Sequence, residues 1–362
     1  MRIVAAVLAS VVVAGVALWA LGLPPFGGTP EPAKPSLFSA LESADVEAVT
    51  AALGGGADVN ARDMDGYTVL MAAVRNHAPV SVMDALLAAR AGIDEVTANG
   101  STALMLAAAA GTPSEVLYLM NAGANPTLKD AAGKNAADRA QENPAVRTSG
   151  VLPRLREAAE RPFVKGWPTG YIVPVEGATI SSRRSHLPGA RRAYRNGYHE
   201  GFDFYDGTVS VDIGYGTPIV AVADGVVIRA DRDYVENDLK AYDELVAEAS
   251  SMLDTPPEIL DRLRGRQVWI RHAGGFVTRY AHLSAVAEGI REGVFVRQGE
   301  IIGSTGNSGT IEAAQGTHDG PHPHVEVWQP NGEYLGAGME PEQIWSLAAQ
   351  VFGVAALPPY HD

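Results

Sequence analysis

"GPHPHVEVW", residues 320–328, sets two histidines two apart, His322 and His324, ahead of an apolar alternation. Alternation of period two marks a strand with one face on a core, and residues two apart on a strand face the same side. His322 and His324 can therefore point into one groove. A lone histidine is more often a packed or surface residue than a ligand, so this pair means a metal site only if partners stand at fitting spacings elsewhere.

The rest of the chain limits what those partners can be. Its 362 residues suggest two or three domains, and a hydrophobic fraction of 46% is that of an ordinary globular protein. A formal net charge of −14 argues against a nucleic-acid partner, because an acidic protein is not steered towards an anionic polymer. There is no cysteine, which excludes disulfides and thiolate sites and leaves His, Asp and Glu as ligands.

"MRIVAAVLASVVVAGVALWALGLPPFGG" (1–28) carries one cation, Arg2, and then an uncharged apolar run from Ile3 to Leu23. Such a run can cross a hydrocarbon core of about 30 Å as a helix. The expectation is a signal-anchor or transmembrane helix over 1–26, with its positive end in the cytoplasm and the remainder exported. That remainder would be anchored in an inner membrane facing the periplasm, or secreted. Ala20 and Gly22 offer only a weak cleavage exit, which favours the anchor over a removed signal. The Pro- and Gly-rich stretch after it reads as a linker over 27–35.

A repeat follows. "DGYTVLMAAVRN" begins at Asp65, "NGSTALMLAAAAG" at Asn99 and "AAGKNAADRAQEN" at Ala131, with Gly66, Gly100 and Gly133 aligned at spacings of 34 and 33. A period near 33 with two short helices and a turn resembles ankyrin repeats, although the family's Pro and His are replaced here. The expected array covers 36–145, with two good repeats, a degenerate first one and a capping last one. Such repeats carry no chemistry, so the array implies a protein partner or a spacer. Residues 146–170 read as a short helix between loops. From Tyr171 to about residue 340 short apolar stretches alternate with Gly turns, an all-β pattern. A helical insertion at 231–266 interrupts it, with Leu239, Tyr242, Val246, Ala249 and Leu253 at helical spacing and Thr255 capping a second helix that starts at Pro256. A solvated hairpin on the rim of a sheet is the plainer reading of that insertion, a lid the sharper one. Residues 341–362 read as a C-terminal helix and tail.

Partners for the histidine pair do exist. "NGYHEGFDFY" (196–205) offers His199 and Asp203, with Gly201 between them for a close backbone bend. A catalytic zinc site takes three protein ligands and keeps one position open. His199, Asp203 and one of His322 and His324 would supply three, leaving the other as a nearby base or acid. "TRYAHLSAV" (278–286) adds His282 at a strand end. The order H-x-x-x-D, then "YAHLS", then H-x-H-x-E is hard to reach by chance.

These strings, with "GTPIVAVADGVVI" (216–228) and "VRQGEIIGSTGNSGT" (296–310), make residues 190–335 resemble the lysostaphin-type (LytM-like) zinc endopeptidases that cleave peptidoglycan peptides. The resemblance implies a mainly antiparallel, barrel-sandwich-like β domain. It implies zinc ligands at His199, Asp203 and His324 and catalytic histidines at His282 and His322. Pro323, the insertion and the long "QGTHDGP" approach (315–321) depart from the family pattern and bear on substrate access. A non-enzymatic scaffold or activator of other wall hydrolases is the alternative. Of the other histidines, His318 is a reserve ligand, His272 structural, and His77, His186 and His361 surface residues. "GSTGNSG" (303–309) lacks the Lys of a phosphate cradle and reads as a turn.

Overall fold

The computed structural model describes residues 36–43 and 45–354. The apolar run at 3–23 lies outside them. Among the described residues no helix is long and apolar enough to cross a membrane.

Two units make up the described chain. The first holds α1 (Leu37–Glu42) and α2 (Val46–Gly54), which bury Leu37, Leu41, Val49 and Ala52. The second begins with the remaining repeats: α3 (Val69–Arg75) with α4 (Val80–Ala88), and α5 (Ala103–Ala110) with α6 (Pro113–Asn121). Then come α7 (Ala136–Ala140), α8 (Pro144–Arg147) and α9 (Val151–Glu160). Each repeat starts the same way because the same local groups close the same turn. Asp63, Thr97 and Asp130 each donate their N–H, at 3.0 Å, to the carbonyl four residues on. The aligned glycines between take φ of +81°, +81° and +72°, a left-handed conformation that a side chain resists. Helix starts are capped: Thr68 Oγ1 accepts from Met71 N–H (3.3 Å) and Thr102 Oγ1 from Met105 N–H (3.2 Å). Thr112 with Glu115 and Asn135 with Asp138 form reciprocal capping boxes.

The β domain contains two antiparallel sheets. The strands are β1 (Phe202–Asp203), β2 (Pro218–Val220), β3 (Gly225–Ala230), β4 (Val268–His272), β5 (Val277–Ala281), β6 (Leu283–Val286), β7 (Phe295–Val296), β8 (Ile301–Thr305) and β9 (His324–Trp328). The larger sheet runs β1-β9-β5-β4-β3-β7 and the smaller β2-β8-β6. Val227, Ile270, Tyr280, Val325 and Val327 of the first share one core with Ile219, Leu283 and Ile302 of the second. A last helix, Pro341–Phe352, adds Ile344, Leu347, Val351 and Phe352 to that core, with Phe352 edge-on to Phe202 at 5.6 Å.

Ankyrin array and β domain are stitched together by the stretch between them. Thr169 N–H donates to the Met120 carbonyl (3.1 Å), Arg154 Nη1 to Gln298 Oε1 (2.7 Å), and Val164 N–H to Gln350 Oε1 (2.6 Å).

The insertion forms α10 (Leu239–Ser251) and α11 (Pro257–Leu263) between β3 and β4. Its buried stripe differs from the expected one. Tyr242, Leu245 and Ala249 pack with Ile259 and Leu263, whereas Leu239 is exposed and Leu253 lies fully in solvent beyond the helix end. Thr255 is not the cap either: Pro256 occupies that position, and the Thr255 hydroxyl donates to the Asn196 carbonyl. Pro256, Pro257 and that tertiary bond end one helix and start the next, which rotates the stripe from where periodicity alone puts it.

Candidate metal centre

Strand register builds the site. β9 lies between β1 and β5, and its pairing sets Asp203 opposite His324 on one side and Ala281 opposite His324 on the other. Along β9 the fully buried Val325 and Val327 join the core, so the alternate residues His324 and Glu326 share the other face. His282 follows Ala281 at the break between β5 and β6. His199 comes from the turn before β1. A Cβ on Gly201 would lie 2.9 Å from the His324 ring, so only glycine lets β1 pass this close.

His199 Nε2, Asp203 Oδ1 and His324 Nδ1 stand 2.8–2.9 Å from one another, all three residues buried. The opposite ring nitrogens decide what these atoms are. His199 Nδ1 is 2.9 Å from the Leu187 carbonyl and must donate to it. His324 Nε2 is 3.0 Å from Glu326 Oε1 and donates likewise. The inner nitrogens therefore carry lone pairs, and together with Asp203 Oδ1 three acceptors face one another. Nothing in that trio relieves their repulsion except a cation or a proton. Two imidazole nitrogens and a carboxylate oxygen fit zinc, with a carboxylate behind one histidine to orient it.

Arg192 Nη2 holds Asp203 Oδ2 at 2.7 Å. Burial alone would raise the Asp203 carboxyl, but His199 and Arg192 outweigh it and hold the group well below the usual carboxylate range. Burial depresses His199 to about 3, keeping it neutral. His324 goes the other way: burial would lower it, yet the Asp203 and Glu326 carboxylates raise it. Glu326 is itself charged, its burial offset by Arg264 (Nε–Oε1, 2.7 Å) and by the His324 contact.

His282 and His322 line the same cleft, ring centroids 4.8 Å apart. His282 is held at φ +58°, a conformation that costs a side-chain-bearing residue on the order of 1 kcal/mol. Its N–H donates to the Arg264 carbonyl (2.9 Å) and its Nδ1 to the Ser308 carbonyl (2.7 Å). The "GSTGNSG" loop thus serves as the rest for His282. His322 donates from Nδ1 to the Gly320 carbonyl (2.9 Å), and its Nε2 accepts from the Tyr205 hydroxyl at 3.2 Å. Both rings are kept neutral, first by burial, then at His282 by the neighbouring His322 and His324.

The remaining histidines sort out differently. His318 stacks on Tyr215 at 3.8 Å and stands apart from the ligand trio. His272 is structural, bonded to the Asp224 carbonyl (2.9 Å) and Thr278 Oγ1 (2.7 Å). His77 is half-exposed and contacts Glu115 at 3.0 Å. His186, expected on the surface, is half-buried: it bonds Ser181 Oγ (2.9 Å) and lies 4.7 Å from the Tyr205 ring, which in turn stacks on His322 at 4.0 Å. Its loop folds back over the cleft, a contact no local pattern encodes. His361 lies outside the described residues.

Three contributors have no role assigned from sequence, though one of them, Glu326, is the E of the H-x-H-x-E string. Glu326 has a visible signal, two residues beyond His324 on the same strand face. Tyr205 follows the H-x-x-x-D string closely but carries no distinguishing spacing. Arg192 has no signal at all. The insertion is also more than a solvated hairpin, since Tyr242, Leu260 and Leu263 line the cleft and Arg264 is wired to Glu326 and Glu200.

Residues 198–336 match the model of Peptidase family M23, and residues 37–130 match that of ankyrin repeats in three copies. Over 72 residues the chain is 33% identical to an L-Ala--D-Glu endopeptidase of Bacillus subtilis (strain 168), covering 20% of this chain and 22% of that protein. A zinc containing peptidase from Vibrio cholerae is similar at 21% identity and a TM-score of 0.29, over 45% of this chain and 37% of that one. Helicobacter pylori Csd3 is similar at 22% and 0.26, over 45% and 32%. The chain thus spans 22% of the curated relative it matches. It carries an M23 peptidase domain of the lysostaphin (LytM-like) type after ankyrin repeats.

Proposed function

We propose that this protein is a zinc-dependent endopeptidase that hydrolyses peptide cross-links of bacterial peptidoglycan. The observation that carries the reading is the trio of converging lone pairs on His199, Asp203 and His324, with two neutral imidazoles beside it. Bound there, a zinc ion supplies Lewis acidity that polarises a carbonyl and brings a water's pKa towards about 7. The protein's own groups handle protons and position. His199 and His324 are fixed in one tautomer by Leu187 and Glu326, and Arg192 keeps Asp203 charged. His282 and His322 each commit Nδ1 to a backbone carbonyl, which leaves Nε2 as the working lone pair, at His322 shared with the Tyr205 hydroxyl. One of them takes the attacking water's proton. The proton so gained then steadies the developing oxyanion or passes to the leaving amine, through the same ring or its neighbour.

The apolar run at 3–23 supports export, with the catalytic domain outside the cytoplasm, anchored at the inner membrane or secreted. The ankyrin array supports a protein partner. The test is mass spectrometry of muropeptides released by zinc-loaded protein, beside a chelated control and His282→Ala. New peptide termini from the loaded wild type alone are expected. Absence of stoichiometric zinc, or indifference to His282→Ala, would instead indicate a wall scaffold.

A further inference from the structure

Beside the ligand trio the cleft, of about 320 Å³, has an apolar wall made by the insertion. Tyr242, Leu260 and Leu263 come from α10 and α11, and the short helix Ile311–Ala314 packs against them through Ala314, bringing Glu312 to the same cleft. The cleft's carboxylates are paired except at one point. Arg192 pairs with Asp203, and Arg264 pairs with both Glu200 and Glu326. Arg195 is buried and tied to the Tyr198 carbonyl (2.6 Å). Among the described residues no hydrogen bond or ion pair engages the half-exposed Glu312 carboxylate. Its charge is nevertheless felt at Tyr205, which stacks on His322, and at Tyr242 on the insertion.

An unpaired carboxylate beside an apolar wall matches a ligand with apolar methylenes and a cationic tip. Long amine side chains lay their stems on apolar surface and keep the charge for a partner. We propose that this part of the cleft is a subsite for an aliphatic side chain ending in a primary ammonium, lysyl in kind. Its stem lies on Tyr242, Leu260 and Leu263, and its ammonium bonds Glu312. The subsite deepens the peptidase reading above and rests on it for the identity of the ligand as a peptide. On this view the insertion supplies the wall that selects the residue next to the scissile bond.

Calorimetric titration of the full-length, zinc-loaded protein tests this with two probes, acetyl-Ala-Lys-Ala-amide and the same peptide acetylated on the lysine nitrogen. The wild type should favour the free amine by about tenfold, the size of one charge-assisted hydrogen bond. Glu312→Gln should bring the ratio near one, and Glu312→Lys should reverse it in favour of the acetylated peptide. Unchanged zinc content reports that each variant keeps its fold. A wild type that binds neither peptide, or a Glu312→Gln protein that keeps the tenfold ratio, overturns the subsite. Selective binding without cleavage of any peptide leaves the subsite standing and overturns the peptidase reading instead.

Discussion

The ankyrin repeats and the candidate metal centre solve the same problem, satisfying polar groups inside a fold, over very different stretches of chain. In the repeats, Thr102 caps Met105 three residues on, and Asp130 closes on Lys134 four residues on. In the centre, His199 meets His324 across 125 residues and Arg264 meets Glu326 across 62. Local bonds are replaced by neighbours when one is lost. A long-range polar cluster in a low-dielectric interior is all or nothing, because each member's charge state depends on the others. The array should therefore yield by degrees to mutation and the centre by collapse.

The largest effect should come from the trio itself. His324→Ala or Asp203→Ala is expected to abolish stoichiometric zinc and lower cleavage by roughly a thousandfold or more, given the several kcal/mol a catalytic metal supplies. Metal analysis alongside muropeptide release checks it; a variant with full zinc and full rate would break the contrast.

Next is the acid response. Burial lowers His272 to about 4 from an ordinary 6.5. The unfolded chain therefore binds a proton there before the folded one does. This group's contribution is complete above about pH 6.5 and is lost as pH falls towards 4, up to about 3 kcal/mol. Denaturant unfolding at pH 7 and pH 4.5 should show a flatter pH slope in His272→Gln than in the wild type. Equal slopes would mean the β domain owes its acid sensitivity to other groups.

Third, Glu326→Gln keeps shape but removes the charge behind His324, and should weaken zinc binding by about 10- to 100-fold in chelator competition. Wild-type affinity in that variant would show the carboxylate to be unimportant for orientation. The smallest effect belongs to the repeats. Thr102→Ala removes one cap and should cost about 1 kcal/mol with zinc affinity untouched. A loss of zinc binding on that change would show that the two regions are coupled and that the contrast between them fails.

Legibility follows the same division. The repeat period is readable because each turn is closed by groups a few residues apart. His199, Asp203, His282, His322 and His324 are readable because each sits in a short string with its own spacing, and the fold does gather them. Periodicity misses Leu245 and wrongly includes Leu253, since the stripe of α10 depends on where Pro256 and the Thr255–Asn196 bond stop the chain. His186 and Arg192 lie on a loop that tertiary contacts place, among them Arg192 with Asp203, His186 with Tyr205 and the Leu187 carbonyl with His199. No periodicity marks such residues, and no substitution of composition for geometry finds them.

Residue order alone settled the helical repeats, the alternating strands and the small set of side chains able to bind a metal, because these follow from backbone turns and from ligand chemistry within a few bonds. Tertiary structure decided which nitrogen of each histidine is free, which carboxylate stays charged and which wall the insertion gives the cleft. Those outcomes depend on the register of β1, β9 and β5, and register is fixed by the burial of Phe202, Tyr280, Val325 and Val327 in a shared core. Burial energy is summed over the whole domain, so no single stretch of the chain contains it.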